Sequence, residues 1–261
     1  MRFKRNHDNT SSRLALEADH TPEKIRERLE ASMEHSYLSD SVLGGIDGAV
    51  TTFAIVAGTM GGGFTALVAL ALGLSNLVAD GLSMAVSNFE ASSSLRARIL
   101  QKRKEETQAI KTYPEGEKEE IRQIYARKGF EGELLEEIVA TITSDRDLWI
   151  DTMIKEEYGL PLEVPVPIQS ARVTFLSFIL FGLMPLLPFF YIYGNMQHSF
   201  IISCALTGIA FFLIGAMKGF VLNIHPLKEA VLVFLLGSIT ALLSYGISYG
   251  VTTYFSIPLS L

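Results

Sequence analysis

The run "VLGGIDGAVTTFAIVAG", Val42 to Gly58, is apolar or small throughout except for Asp47, and no basic residue stands near that carboxylate. A second run, "SNLVADGLSMAVSNFE", places Asn76, Asp80, Met84 and Asn88 four residues apart. In a helix, residues four apart drift by only about 40°, so these four form one slanted stripe. Ionisable groups inside apolar helices are costly and face a bundle interior or an aqueous path. Each residue also has a plainer reading. Asp47 can cap a helix that starts later, which would leave Asp47 to Gly61 as a short span. Asn76 and Asn88 can bond neighbouring helices, and Met84 can fill core space. A carboxylate on one helix and a carboxylate, amides and a thioether on the next are together more than packing requires, and they read as a cation path. Oxygen donors joined by a thioether suit borderline ions such as Fe²⁺ or Mn²⁺ better than Ca²⁺ or Mg²⁺.

The elements that carry these residues follow from the distribution of charge. Asp, Glu, Lys and Arg number 14 in residues 1–37, 3 in 38–87, 29 in 88–169 and 4 in 170–261. That alternation excludes a uniform soluble globule. It reads as an N-terminal segment (1–37), two transmembrane helices (38–87), an acidic helical domain (88–169) and three further transmembrane helices (170–261). Spanning hydrocarbon takes roughly 20 apolar residues, and five runs qualify: about 41–61, 64–87, 171–193, 199–217 and 229–252. Pro185 and Pro188 are expected to kink the third. Gly44/Gly48 and Gly215/Gly219 have the spacing of close helix contacts. The fold class is therefore an all-α integral membrane protein, with five transmembrane helices and a three-helix cytoplasmic domain inserted between helices 2 and 3.

Basic residues set the orientation. Seven Lys and Arg lie in the N-terminal segment and thirteen in 88–172, and Lys218 and Lys228 flank the connection between spans four and five. The other short connections hold none. The N-terminus and the inserted domain are thus expected in the cytosol. Phe189, Phe190, Tyr191, Tyr193, Tyr249, Tyr254 and Phe255 are expected as an aromatic belt at the outer boundary. The start of the chain has no apolar core behind its basic residues and is not a secretory signal. That points to a prokaryotic cell membrane, with a vacuolar membrane as the alternative. Thr21 and Pro22 open a helix in which Ile25, Leu29, Met33 and Tyr37 form an apolar stripe, as in a helix lying on a surface. The only cysteine, Cys204, is expected to pack in an apolar run.

The inserted domain reads as a continuation of span two, a helix over "EKEEIRQIYARK", and one long helix over "ELLEEIVATITSDRDLWIDTMIKEEYGL". Glu117 and Glu120 share a face, as do Met153 and Glu157. Most acids here are expected in solvated charge pairs, while a few converging from separate helices would make a metal site. The lone E-x-x-H, Glu17 to His20, lacks the second copy that a ferritin-like di-iron centre needs. No nucleophile elbow, Walker loop or zinc spacing is present, so neither an enzyme nor an ATP-driven pump is expected, and no nucleic-acid partner.

In order along residues 38–255, "GGIDGAVTTFAIVAG", "VADGLSMAVSNFE", an acidic insert, "GLMPLLPF" and "IGAMKGFVLNIHPLKEAVLVFLLG" resemble the vacuolar iron transporter family. The resemblance implies a five-span homodimer in a lipid membrane. It would export ferrous iron and related divalent ions such as Mn²⁺ or Co²⁺ from the cytosol in exchange for protons, with no permanently bound cofactor. It assigns Asp47 and Met84 to the transport path, and Glu106, Glu117, Glu120, Met153 and Glu157 to a cytoplasmic metal site. This chain departs from the family at Ser87-Asn88, where Gly-Glu is common, and at Asn76, where a carboxylate occurs in some members. It departs again at Ala109, where a further glutamate is expected, and at Ile154, where a second methionine is. Asp80, on the same stripe, can replace one lost carboxylate. The working expectation is a metal/proton antiporter whose ions compete for Asp47. A membrane-anchored metal sensor or scaffold, or a passive divalent cation channel, are the alternatives.

Overall fold

A computed structural model describes residues 17–31, 36–191, 196–222 and 224–255. The regular structure among them is entirely helical: α1 (Pro22–Ala31), α2 (Leu38–Gly61), α3 (Ala66–Thr112), α4 (Pro114–Arg127), α5 (Gly132–Ser144), α6 (Arg146–Glu156), α7 (Pro167–Leu183), α8 (Leu187–Tyr191), α9 (Met196–Val221) and α10 (Pro226–Tyr254). Five stretches are long and apolar enough to cross a membrane, and they coincide with the five runs expected from hydropathy. The chain divides into two compact units, one built from 37–94 and 166–261, the other from 1–36 and 95–165.

In the apolar unit, α2 is the central helix, and glycine lets its neighbours reach its backbone. A Cβ on Gly48 would lie 2.9 Å from Phe178 Cα on α7, and one on Gly44 would lie 3.0 Å from the Thr174 carbonyl carbon. Towards the C-terminal end of α2, Gly61 meets the Tyr245 backbone of α10, and Ser244 Oγ donates to the Ala54 carbonyl at 2.6 Å. The expected Gly215/Gly219 contact is also present: those residues admit Ala230 and Pro226 at the start of α10. Beside it, Lys218 on α9 pairs with Glu229 on α10 at 2.8 Å. Ala49, Phe53, Val56, Ala57, Leu186, Phe189, Phe211 and Ile214 fill the centre.

The third span is interrupted as its prolines require. Without an N–H, Pro185 and Pro188 cannot bond back along the helix. The chain passes from α7 through a 3₁₀ turn, Met184–Leu186, into the short α8. The Pro185 carbonyl is satisfied by Ser203 Oγ of α9 at 2.7 Å. α3 associates differently from α2. Its small residues receive side chains rather than backbone: Leu186 lies against Gly73, and Phe178 and Phe175 against Gly81, while Leu77 packs on Gly182.

Three expectations need correction or lie elsewhere. Phe189 is 5% exposed and belongs to the core, because the 3₁₀ turn rotates it inward, whereas Phe190, Tyr191, Tyr249, Tyr254 and Phe255 are exposed. Cys204 is exposed rather than packed, since the neighbouring Ser203 takes the buried face of α9. Tyr193, Met33 and the side chain of Leu29 lie outside the described residues. The helix they would extend does begin as read: Thr21 Oγ1 accepts from the Lys24 amide and Pro22 follows it.

The polar unit contains the end of α3 with α4, α5 and α6. The expected third helix is in fact two. Asp145 leaves helical geometry and its Oδ1 accepts from the amides of Asp147 and Leu148, at 2.9 and 3.2 Å, which caps a new helix. An Asp at that position competes with the helix it would otherwise continue. The resulting α6 lies between two apolar clusters. Trp149 and Met153 pack with Ile121, Leu135, Val139 and Ile142, and Ile150 and Ile154 pack with Ile99 and Leu160.

Adding a methyl group where helix backbones touch should cost more than the helix propensity gained. Gly48→Ala is expected to destabilise the detergent-solubilised protein by about 1–3 kcal/mol, read as a lower melting temperature. Gly246→Ala, whose Cβ would meet nothing within 4 Å, should leave it unchanged or slightly higher. Equal melting of the two variants would contradict this packing.

Candidate metal path and acidic cluster

On α3 the residues Gly73, Leu77, Gly81 and Ala85 are buried. Asn76, Asp80 and Met84 each precede a member of that stripe by one position, Asn88 lies three positions beyond Ala85, and all four are half-buried. The polar stripe therefore runs along the edge of the packed face. Asp47 is likewise half-buried, next to Gly48, which faces α7. The carboxylates of Asp47 and Asp80 lie near enough for their charges to act on one another. Two apolar helices thus each carry a half-buried acid, with Met84 one turn beyond Asp80.

The two asparagines differ. Asn88 Nδ2 donates to Thr174 Oγ1 at 2.6 Å and to the Ser170 carbonyl at 3.4 Å, so it bonds α3 to α7. Asn76 Nδ2 is buried with no partner among the described residues. Sequence reasoning overlooked Asp40, whose Oδ2 is also buried without a partner among the described residues. Seven residues before Asp47, it lies two turns away on the same face of α2, and that spacing was the available signal.

In the polar unit, basic residues sort the acids. Arg122 on α4 holds Glu136 on α5 at 2.7 Å and also bonds Glu119. Arg103 on α3 bonds Asp151 on α6. Lys128 holds Glu156 at 2.5 Å, Lys102 holds Glu105 at 2.7 Å, and Lys118 holds Glu115 at 3.0 Å. Among the described residues, no such ion pair includes Glu106, Glu117, Glu120 or Glu157. These four come from the end of α3, from α4 and from the end of α6, and they act on one another electrostatically.

Glu106 is 4% exposed. Its Oε2, like Glu117 Oε2, is buried without a partner among the described residues. Its Oε1 accepts from the Tyr158 hydroxyl at 2.7 Å. Burial, with the charges of Glu120 and Glu106, pushes the Glu117 carboxyl up to about 7. Burial and Glu106 raise Glu120. Burial also raises Glu157, opposed by the nearby Tyr158 hydroxyl.

Met153 is fully buried in the apolar cluster one turn before Glu157, and Ile154 is fully buried in the other cluster. Ala109 is half-buried on α3. The cluster is drawn together without being closed. Among the described residues, no three His, Cys, Asp or Glu side chains, the Glu17–His20 pair included, stand in metal-binding geometry. Mutual repulsion keeps like charges apart until a cation screens them. The chemistry available is oxygen coordination of a divalent cation, opposed by protons.

The raised carboxyls give a signed pH dependence. An unfolded glutamate releases its proton near 4.5 and the folded Glu117 near 7. The stabilisation from keeping that proton is complete below 4.5 and is lost as pH rises through 7. Glu120 and Glu157 act with the same sign. Metal-free protein in chelator is expected to melt at lower temperature at pH 8 than at pH 5, and Glu117→Gln should flatten that slope. An unchanged slope in the variant would refute the assignment.

The profile of the VIT family matches residues 38–249, most of the chain. The vacuolar iron transporter of Toxoplasma gondii is 30% identical over 220 residues, covering 81% of this chain and 73% of that protein. Vacuolar iron transporter 1 of Oryza sativa subsp. japonica is 30% identical over 217 residues, 82% of this chain and 85% of the relative. The Arabidopsis thaliana protein of the same name is 29% identical over 205 residues, covering 77% and 81%. With the family profile reaching into all five apolar helices and relatives aligned over most of the sequence, the chain belongs to the VIT family.

Proposed function

We propose that this membrane protein exports ferrous iron, or a related divalent ion such as Mn²⁺ or Co²⁺, from the cytosol in exchange for protons. Its coarse function is metal-ion transport, as the names of its relatives indicate. The observation that carries the finer reading is that two apolar helices each carry a half-buried acid, Asp47 on α2 and Asp80 on α3, with Met84 one turn beyond Asp80. Two uncompensated carboxylates in a bundle are unfavourable unless a cation or a proton visits them, and a transporter that exchanges one for the other needs such a site. Met84 supplies a soft donor that favours Fe²⁺ and Mn²⁺ over Mg²⁺.

In this reading the acidic unit lies in the cytosol with the N-terminus, which the distribution of Lys and Arg supports. Glu106, Glu117, Glu120 and Glu157 capture the metal, with Met153 buried one turn away on the helix that ends at Glu157. Asp40 receives the cation before Asp47, and Asn76 lines the same edge of α3. Protons arriving from the far side then compete with metal for Asp47. Two copies assemble in the membrane, which would cover the half-exposed edge of α3. No resident cofactor is required, because the metal is the cargo.

Asp47→Asn keeps the side-chain shape and removes the charge. In proteoliposomes loaded with a fluorescent metal indicator, the variant is expected to lose at least about tenfold in Fe²⁺ flux driven by a pH gradient, the effect of about 1.4 kcal/mol. Flux at the parent rate would sink the mechanism. Parent protein whose flux ignores the pH gradient would favour a passive channel instead.

A further inference from the structure

The two oxygens of Glu106 have different surroundings. Oε1 accepts from the Tyr158 hydroxyl at 2.7 Å, while Oε2 is buried and has no partner among the described residues. Tyr158 is itself fixed. Its ring packs against the cluster of Ile99, Ile150, Ile154 and Leu160, and the Lys102 ammonium sits over it, 4.5 Å from the centroid. Its backbone is bound on both sides: the Tyr158 amide donates to the Met153 carbonyl at 3.3 Å and the Leu160 amide to the Ile154 carbonyl at 3.0 Å. Gly159, at φ +61°, makes that return possible.

We propose that Tyr158 is a positioning residue for cation capture: its hydroxyl fixes Glu106 through Oε1 and so leaves Oε2 as the oxygen offered to a divalent cation. The inference rests on the reading of the four unpaired glutamates as a cation site. Two features favour it over simple packing. First, a phenol is a neutral donor, so it orients the carboxylate without cancelling the charge a cation needs, whereas an ion pair would cancel it. Second, the Lys102 ammonium, four residues before Glu106, bonds Glu105 and sits over the tyrosine ring instead of pairing with Glu106. A long acidic side chain also loses rotamer freedom on binding metal, and a preset rotamer removes part of that cost.

Tyr158→Phe removes one oxygen and keeps the ring, its packing and the cation above it. The test is titration of full-length protein in detergent with Co²⁺. It is followed by quenching of Trp149, the only tryptophan, which shares an apolar cluster with Met153. Glu106→Gln is titrated alongside, and the metal-free melting temperature and the visible Co²⁺ absorption bands are recorded for each protein. The expected result is a 10–100-fold weaker Co²⁺ affinity in Tyr158→Phe, with an altered Co²⁺ spectrum and an unchanged melting temperature. Loss of binding in Glu106→Gln with parent-like affinity in Tyr158→Phe would overturn the positioning role alone. So would weaker binding that only accompanies a lower melting temperature. Parent-like binding in Glu106→Gln would overturn the underlying cation-site reading, a separately visible outcome.

Discussion

A carboxylate withdrawn from water and given no cation raises the free energy of a fold, and burial in an apolar setting makes this worse. This protein meets that constraint in two ways. In the polar unit, Arg103, Arg122 and Lys128 each neutralise an acid on another helix or beyond it, and those pairs tie α3 to α6, α4 to α5 and the end of α4 to α6. Once they are assigned, a residue of negative charge is left on Glu106, Glu117, Glu120 and Glu157. Part of its cost is met by retaining protons, which is why burial and neighbouring charge raise Glu117. In the apolar unit no arginine or lysine reaches Asp47 or Asp80 among the described ion pairs, so the same deficit recurs without a local remedy.

The packing of the apolar unit explains how that deficit is left accessible. Gly44 and Gly48 bring α2 onto the α7 backbone, and Gly58 and Gly61 bring it onto α10. This closes two sides of α2 tightly. α3 is held instead through Leu186, Phe175 and Phe178, whose side chains act as spacers. The spacing keeps the edge carrying Asn76, Asp80 and Met84 half-buried rather than sealed. One turn beyond Met84, the Asn88 amide is bonded to Thr174 and the Ser170 carbonyl. Close packing on one side and stand-off packing on the other are thus both set by residue size at positions a turn apart.

Much of this was readable from the chain. Hydropathy gives five spans because hydrocarbon imposes a minimum length on any helix that crosses it. A carboxylate in such a span stands out at once, as Asp47 did. The acidic cluster was less legible. Spacing alone could not separate Glu106, Glu117, Glu120 and Glu157 from their paired neighbours, because pairing is tertiary: Arg122 reaches 14 residues to Glu136 and Arg103 reaches 48 to Asp151. The resemblance named these positions where periodicity did not. The break at Asp145 was missed because apolar periodicity continues across it, and only the capping role of the side chain ends the helix. Tyr158 gave no signal, since a tyrosine beside an acid is common and its bond to Glu106 spans 52 residues.

The burial of Met153 has a consequence for selectivity. With Met153 and Ile154 both fully buried in apolar clusters, the acidic cluster of the described residues offers carboxylate oxygens to a cation. Such a set discriminates weakly among hard and borderline divalent ions, since preference for the softer ones comes from nitrogen or sulfur donors. Within the apolar unit, by contrast, Met84 remains half-exposed on the stripe that carries Asp80. Under the proposed function the ion preference would rest with the span, and the acidic helices would serve to concentrate divalent cations. On that proposal, Ile154 and Ala109, standing where the resemblance leads one to expect a methionine and a glutamate, would lower capacity and affinity at capture. The choice of ion would lie with Asp47, Asp80 and Met84.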